Sequence, residues 1–338
     1  MVTLTGYQMT EMIYSGSRTL VYQGIRESDQ KPVVIKLLLS EYPSFGELVQ
    51  FRNQYTIAKN LDLPGIVKPY SLKHYRNGYG LVMEDFGGIS LKSYCFNLKS
   101  LKLTSLKEFF HIALQIASIL DGLYRNRVIH KDIKPANILI HPHTKQIKLI
   151  DFSIASLLPR EIMVLQSPNV LEGTLAYLSP EQTGRMNRGI DYRSDFYSLG
   201  VTFYELLTGQ LPFPSTDPME LVHCHIAKQP PSVHSINPDI PTIVSDMISK
   251  LMAKNAEDRY QSALGLKYDL ETCLNQWQET GRIKSFELGT QDICDRFVIP
   301  EKLYGRTREV ETLLAAFDRV AGKTQGREDS SRGRSEMM

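Results

Sequence analysis

Residues Val128 to Ile140 read VIHKDIKPANILI: an apolar pair, a polar loop, and a second apolar run ending Ile-Leu-Ile. The simplest local structure for that pattern is two short strands flanking a loop. The loop carries Asp132 and, five residues on, Asn137, so a carboxylate and a side-chain amide oxygen project from one segment. Such a carboxylate can orient a hydroxyl, and an amide oxygen is a hard ligand for a small divalent cation. Eleven residues past Ile140, LIDFS sets Asp151 directly after another apolar strand, where it can supply a second, charged ligand. Asp and Asn are also ordinary turn formers. A turn former has no need of this order and spacing around three apolar strands.

Upstream, TLVYQGI, KPVVIKLLL and GYGLVMEDF are rich in β-branched and aromatic residues and are separated by the turns SDQK and RNG. One helix interrupts them: in GELVQFRNQYTIAKNL the apolar residues Leu48, Phe51, Tyr55, Ala58 and Leu61 recur at spacings of three and four. After Gly88 the pattern turns to long helices opening at Ser105, Ser194, Thr242 and Ser262, several of them behind Ser, Thr or Asp caps. The expected class is α+β, a small antiparallel-sheet lobe with one helix followed by a larger, mainly helical lobe, with a crevice between them. The chain has 338 residues, 42% of them hydrophobic, and a net charge of +2, so it has no bulk attraction to nucleic acid or an anionic membrane. Cys95, Cys224, Cys273 and Cys294 are far apart with no C-x-x-C, which disfavours zinc and suits reduced thiols. With no signal-peptide pattern and no apolar run near the ~18 residues of a membrane span, the expected location is cytoplasmic.

The loop and the LIDFS segment together resemble the catalytic loop H-R-D-x-K-x-x-N followed by D-F-G of the eukaryotic-type (Hanks-type) Ser/Thr protein kinases. The resemblance covers roughly Tyr7 to Trp277 and implies a bilobal kinase fold, with the small lobe at about 7–86 and the large lobe at about 87–277. It implies ATP and Mg2+ as cofactors and a protein as phosphate acceptor. Asp132 would orient the substrate hydroxyl, Lys134 and Lys36 would neutralise phosphates, and Asn137 and Asp151 would hold Mg2+. Lys36 ends VVIK on a strand, where a mobile surface lysine is the rival reading. LVMEDFGG resembles the hinge, whose backbone at Glu84 and Phe86 would bond the adenine edge, with Met83 at its rear; an edge strand running into a turn is the alternative. GTLAYLSPEQ resembles the end of the activation segment and sets Thr174 in the substrate-facing turn. Glu181 would pair with the distant Arg259 as a structural staple. Asp195 fits the aspartate that braces the catalytic loop, a reading compatible with an ordinary N-cap. Lys134 and Thr174 favour Ser/Thr over Tyr substrates.

EMIYSGSRTLVYQG, aligned on Val21 with the glycine-rich loop G-x-G-x-x-G-x-V, has Tyr14, Gly16 and Thr19 at the three glycine positions. Backbone amides hold phosphates, so Gly16 is expected to keep the close approach and unusual angles that matter, with Ser17 offering a hydroxyl and Arg18 a positive charge. Gln54 stands where the family places the glutamate that pairs with the strand lysine, while Glu47 lies two helical turns away, about 10 Å. Lys131 replaces the usual arginine, and Ser153 replaces the glycine after Asp-Phe, which is expected to disfavour flipped inactive forms. His223 and His225 are expected to be structural, since residues two apart on a helix diverge; His141 and His143 are expected to be solvated.

Residues 278–300 read as a linker. LYGRTREVETLLAAFDRVA resembles the entry into the ATPase module that follows the kinase domain in bacterial multidomain kinase/ATPase/sensor histidine kinase proteins, so 301–338 reads as its incomplete start with a disordered tail, in a truncated chain. The GKT at 322–324 is not a phosphate loop, because the first glycine of that motif would fall at Phe317. An active Ser/Thr kinase is the leading expectation. A nucleotide-binding regulatory module with little turnover is the alternative, and a small-molecule phosphotransferase of related fold is a third.

Overall fold

The computed structural model describes residues 4–97, 105–157, 173–186 and 188–293. Met1–Cys294 forms one compact unit, and Asp295–Met338, which includes the expected start of a further module and its tail at 301–338, lies outside the described residues.

The small lobe is a five-stranded antiparallel sheet in the order β1-β2-β3-β5-β4, built from β1 (Tyr7–Ser15), β2 (Thr19–Arg26), β3 (Pro32–Leu38), β4 (Pro69–Tyr75) and β5 (Gly78–Glu84). Alternation along β3 sends Val33, Ile35 and Leu37 to one face, where they pack with Leu4 and Val82. On the opposite face Val34 joins Leu38, Leu81, Met83 and Phe51, the last from helix α1 (Phe45–Lys59). Ser44 and Glu47 begin α1 with a reciprocal capping box: Ser44 N donates to Glu47 Oε2 at 2.8 Å and Glu47 N to Ser44 Oγ at 3.3 Å. Glu47 is therefore held at the helix start.

The chain crosses through β6 (Ile89–Ser90) and α2 (Leu91–Asn97) into α3 (Leu106–Arg125), β7 (Val128–Ile129), β8 (Ile138–Ile140), β9 (Ile147–Leu149) and β10 (Ser156–Leu157). The large lobe is completed by α4 (Arg193–Thr208), α5 (Pro218–Ala227), α6 (Val233–Ile236), α7 (Thr242–Leu251) and α8 (Ala263–Thr280). Nearly every residue of α4 is buried, the polar Arg193, Ser194, Asp195, Ser198 and Thr202 among them. Gly200 makes the close packing of α4 possible: a Cβ there would stand 2.7 Å from Met252 Cγ and 2.8 Å from Leu251 Cβ. Phe109 meets Phe203 edge to face at 5.1 Å, tying α3 to α4. Among the described residues no helix is long and apolar enough to cross a membrane.

The expected linker from 278 needs correction. Helix α8 runs to Thr280, and Ile283, Phe286 and Leu288 then pack on the large-lobe core. Asp292 accepts from the N–H groups of Gln261 (2.7 Å) and Ser262 (2.8 Å) and from Ser262 Oγ (2.8 Å), next to the start of α8. Weak periodicity hid this segment, because it is held by side-chain-to-backbone bonds and scattered apolar contacts.

Candidate active site

Three short elements converge between the lobes. β3 carries Lys36, α1 carries Gln54, and the bend after β9 carries Asp151. Lys36 Nζ donates to Gln54 Oε1 at 3.0 Å and lies 3.2 Å from Asp151 Oδ1. Gln54 is buried within the apolar stripe of α1, between Phe51 and Ala58. A polar residue on a buried stripe needs a partner, and Lys36 is that partner. Asp151 adopts a left-handed backbone, φ 67°, a conformation Asp tolerates better than most residues. Burial pushes its carboxyl up, but Lys36, the Ser153 side chain and His130 outweigh burial and bring it down to about 2. It is an anion across the neutral range.

On the facing loop, Lys134 Nζ donates to Asp132 Oδ2 at 2.5 Å and to Thr174 Oγ1 at 2.5 Å, while Thr174 N donates to Asp132 Oδ1 at 3.2 Å. Asn137 Nδ2 donates to Asp132 O at 2.9 Å and to Asp132 Oδ2 at 2.8 Å. Its amide hydrogens thus engaged, Asn137 retains its side-chain oxygen as a hard donor. Asp195, buried in the first turn of α4, accepts from His130 N at 2.8 Å and Lys131 N at 2.7 Å. Its carboxylate braces the loop backbone, and its own helix receives no side-chain cap. Lys131 takes a left-handed φ of 69°, which such bracing holds in place.

The outer parts of the site are also tied down. Glu181 and Arg259 form a fully buried two-pronged pair, 2.7 and 2.8 Å, and Ser194 Oγ donates to the same carboxylate at 2.6 Å. Glu84, at the end of β5, pairs with Lys148 at 2.6 Å and donates its N–H to Lys68 O at 2.9 Å. Lys148 Nζ also lies over the Phe86 ring at 5.0 Å. Val21 on β2 pairs with Lys36 on β3, at the roof of the crevice, and Ser17 is exposed in the β1–β2 turn. In that turn Gly16 N donates to Thr19 O at 2.9 Å. Gly16 itself does not adopt a positive φ. The Tyr14 side chain covers it instead, its OH 2.6 Å from where a Cβ would stand.

Sequence reasoning missed several residues. Asn53 donates from α1 to Ser153 O at 3.1 Å and Ala155 O at 2.8 Å, beyond Asp151. Gln182 Nε2 donates to Lys131 O at 2.9 Å, joining the Ser-Pro-Glu-Gln turn to the loop. His130, fully buried, meets Phe152 edge to face at 4.8 Å and bonds Ile150 O at 3.0 Å. None of these contacts leaves a local signal, since each joins residues at least twenty positions apart. His141 is not free in solvent as expected: it meets Phe86 edge on at 5.9 Å, and its Nδ1 accepts from the N–H groups of His143 and Thr144. His225 is buried against Tyr197, its Nδ1 3.0 Å from the hydroxyl, whereas His223 is exposed. Burial and then Lys254 drive the His225 pKa down to about 4.

The donor set suits a hard divalent cation. Asp151 Oδ1 is buried with the Lys36 ammonium 3.2 Å away, and Asn137, whose backbone carbonyl accepts from Ile150 N next to Asp151, offers an amide oxygen. Among the described residues no group of three or more His, Cys, Asp or Glu side chains could enclose a metal. One carboxylate and one amide oxygen instead match a cation such as Mg2+, which keeps water and shares the phosphates of a nucleotide. One cavity lies elsewhere, lined by Ser105, Glu108, His111, Gln115 and Lys145, and contains none of these residues. A smaller one sits behind Met83, among Gln54, Leu81, Asp151 and Phe152.

A two-lobed fold with this strand lysine, loop aspartate and bend aspartate defines a class of phosphotransferases, and the protein kinase domain model matches residues 7–269. The chain belongs to the protein kinase domain family. It is similar to the serine/threonine-protein kinase PrkC of Bacillus subtilis, 34% identical over 80% of this chain and 40% of that protein. The serine/threonine-protein kinase PknB of Mycobacterium tuberculosis is 30% identical over 78% of this chain and 42% of its own length. The hybrid signal transduction histidine kinase G of Dictyostelium discoideum is 30% identical over 69% of this chain and 9% of its length. The chain thus spans about two fifths or less of these relatives.

Proposed function

We propose that this chain transfers phosphate from ATP to serine or threonine hydroxyls of a protein substrate. The observation that carries the reading is the continuous set of contacts Asn137–Asp132–Lys134–Thr174 facing Lys36–Asp151. Mg-ATP supplies the phosphoryl group and its charge-neutralising metal. Asp132, fixed by three donors, orients the acceptor hydroxyl and takes its proton; Lys134 and Lys36 offset phosphate charge; Asp151 and Asn137 are the metal ligands. The Glu84–Phe86 stretch would receive the adenine edge, and the turn of Gly16 and Ser17, with Val21, would cover the nucleotide. Catalysis in such a site is positioning plus electrostatics.

Gln54 favours one rival, a nucleotide-binding regulatory module with little turnover, because a neutral amide replaces a charge-assisted partner of Lys36. The name of the Dictyostelium relative supports a further proposal, that the domain serves beside other signalling modules, residues 301–338 beginning one of them. The deciding experiment is transfer of labelled phosphate from Mg-ATP to a generic protein acceptor. Transfer by the wild type and its loss in both Asp132→Asn and Lys36→Met is expected. Wild-type transfer no greater than that of the variants, with nucleotide still bound, would establish the regulatory reading.

A further inference from the structure

Helix α1 meets the metal-ligand bend at two neighbouring residues. Gln54 holds Lys36, and through it Asp151, by a neutral hydrogen bond. Asn53, one residue earlier, reaches past them and donates from a single nitrogen to two carbonyls, Ser153 O at 3.1 Å and Ala155 O at 2.8 Å. Two bonds from one planar amide define both the distance and the rotation of α1 relative to the bend. Asp151 is two residues from the first of these carbonyls and holds a left-handed conformation. Between them Phe152 is buried and packed edge to face on His130, so movement at Ser153 is transmitted to Asp151 with little slack.

We propose that Asn53 is a positioning residue for metal-nucleotide binding: it clasps the backbone beyond Asp151 and keeps that carboxylate aimed, a task that a charged residue at position 54 would otherwise share. The inference rests on the proposed function only in taking Asp151 as the metal ligand. A neutral bond between Gln54 and Lys36 gives α1 only an indirect hold on the bend, and the two hydrogen bonds from Asn53 tie α1 to it directly without adding charge. Asn53 touches neither nucleotide nor metal in this scheme. Its effect reaches the cation through the backbone of Phe152 and Ser153.

The test uses the full chain and a fluorescent ATP analogue, titrated with MgCl2 and, separately, in EDTA. Asn53→Asp has nearly the same shape but no N–H to donate, so it separates donation from packing. It is expected to raise the Mg2+ concentration for half-maximal binding roughly five-fold, the equivalent of about one hydrogen bond, while affinity in EDTA stays within about two-fold. Asn53→Gln, which retains both donors, should recover part of the loss. Should Asn53→Asp fail to fold, Asn53→Ala read in the same titration takes its place. Unchanged Mg2+ demand in the donor-less variants, or equal weakening with and without Mg2+, overturns the proposal. Because binding is read without turnover, a wild type that transfers no phosphate would count against the proposed function and leave this comparison intact.

Discussion

Gln54 shows how much one atom changes at the residue scale. An amide oxygen 3.0 Å from Lys36 satisfies the ammonium but brings no charge, whereas a carboxylate in its place would make a charge-assisted bond in a largely buried setting. Gln54→Glu is expected to hold Lys36 more firmly and to raise phosphate transfer or nucleotide affinity roughly five-fold, about 1 kcal/mol. Glu47→Gln is the matched control. Glu47 is occupied by the Ser44 backbone and hydroxyl, which hold its carboxyl below the usual range, so its loss should leave transfer unchanged. Transfer assays and nucleotide titrations on both variants check the pair; loss of activity in Glu47→Gln with no effect of Gln54→Glu would contradict this placement.

Among elements, α8 depends on residues far outside it. Ser262 caps the helix by accepting from Gly265 N at 2.9 Å, and Asp292 in turn secures Ser262 and Gln261 from the following segment. Gly289 N donates to buried Asp269 at 2.8 Å and fastens the same segment to the middle of α8. Asp292→Ala is expected to cost about 1 kcal/mol, the order of a lost cap, and to lower the melting temperature by about 2–4 °C. Nucleotide affinity should not change. A melting temperature equal to that of the wild type would mean that the segment contributes no stability.

For the whole molecule, the pair of Glu181 and Arg259 joins the end of the activation segment to the region before α8, across 78 positions of chain. Burial alone would push the Glu181 carboxyl up, but the Arg259 guanidinium and the Ser194 hydroxyl bring it below its ordinary value. A carboxyl depressed in the folded state stabilises fully above its unfolded pKa, near 4.3, and loses that contribution as pH falls through the folded value. Arg259→Met leaves a buried carboxylate unpaired and is expected to cost about 3–5 kcal/mol at neutral pH. In that variant Glu181 should have its pKa raised, so the cost shrinks as acid protonates it. Urea midpoints of wild type and Arg259→Met measured from pH 7 to pH 4 check this; a pH-independent gap would refute it.

Sequence alone determined the lobes and the strands around the two aspartates, and it proposed Lys36, Asp132, Asn137 and Asp151 as a set through their resemblance to the protein kinase motifs. The lobes and strands follow from period-two and period-3.6 patterns, local properties that the backbone reads directly. Gln54 was legible only through the resemblance, as the residue standing at the family's glutamate position. Tertiary structure decided what lay between distant segments: the clasp of Asn53 on Ser153 and Ala155, the bond of Gln182 to Lys131, and the docking of 281–293 on α8. Amide and carboxylate side chains serve equally well on a solvated surface, so their composition carries no record of a partner a hundred residues away. Only when the apolar core brings those segments together do directed bonds have a geometry to satisfy.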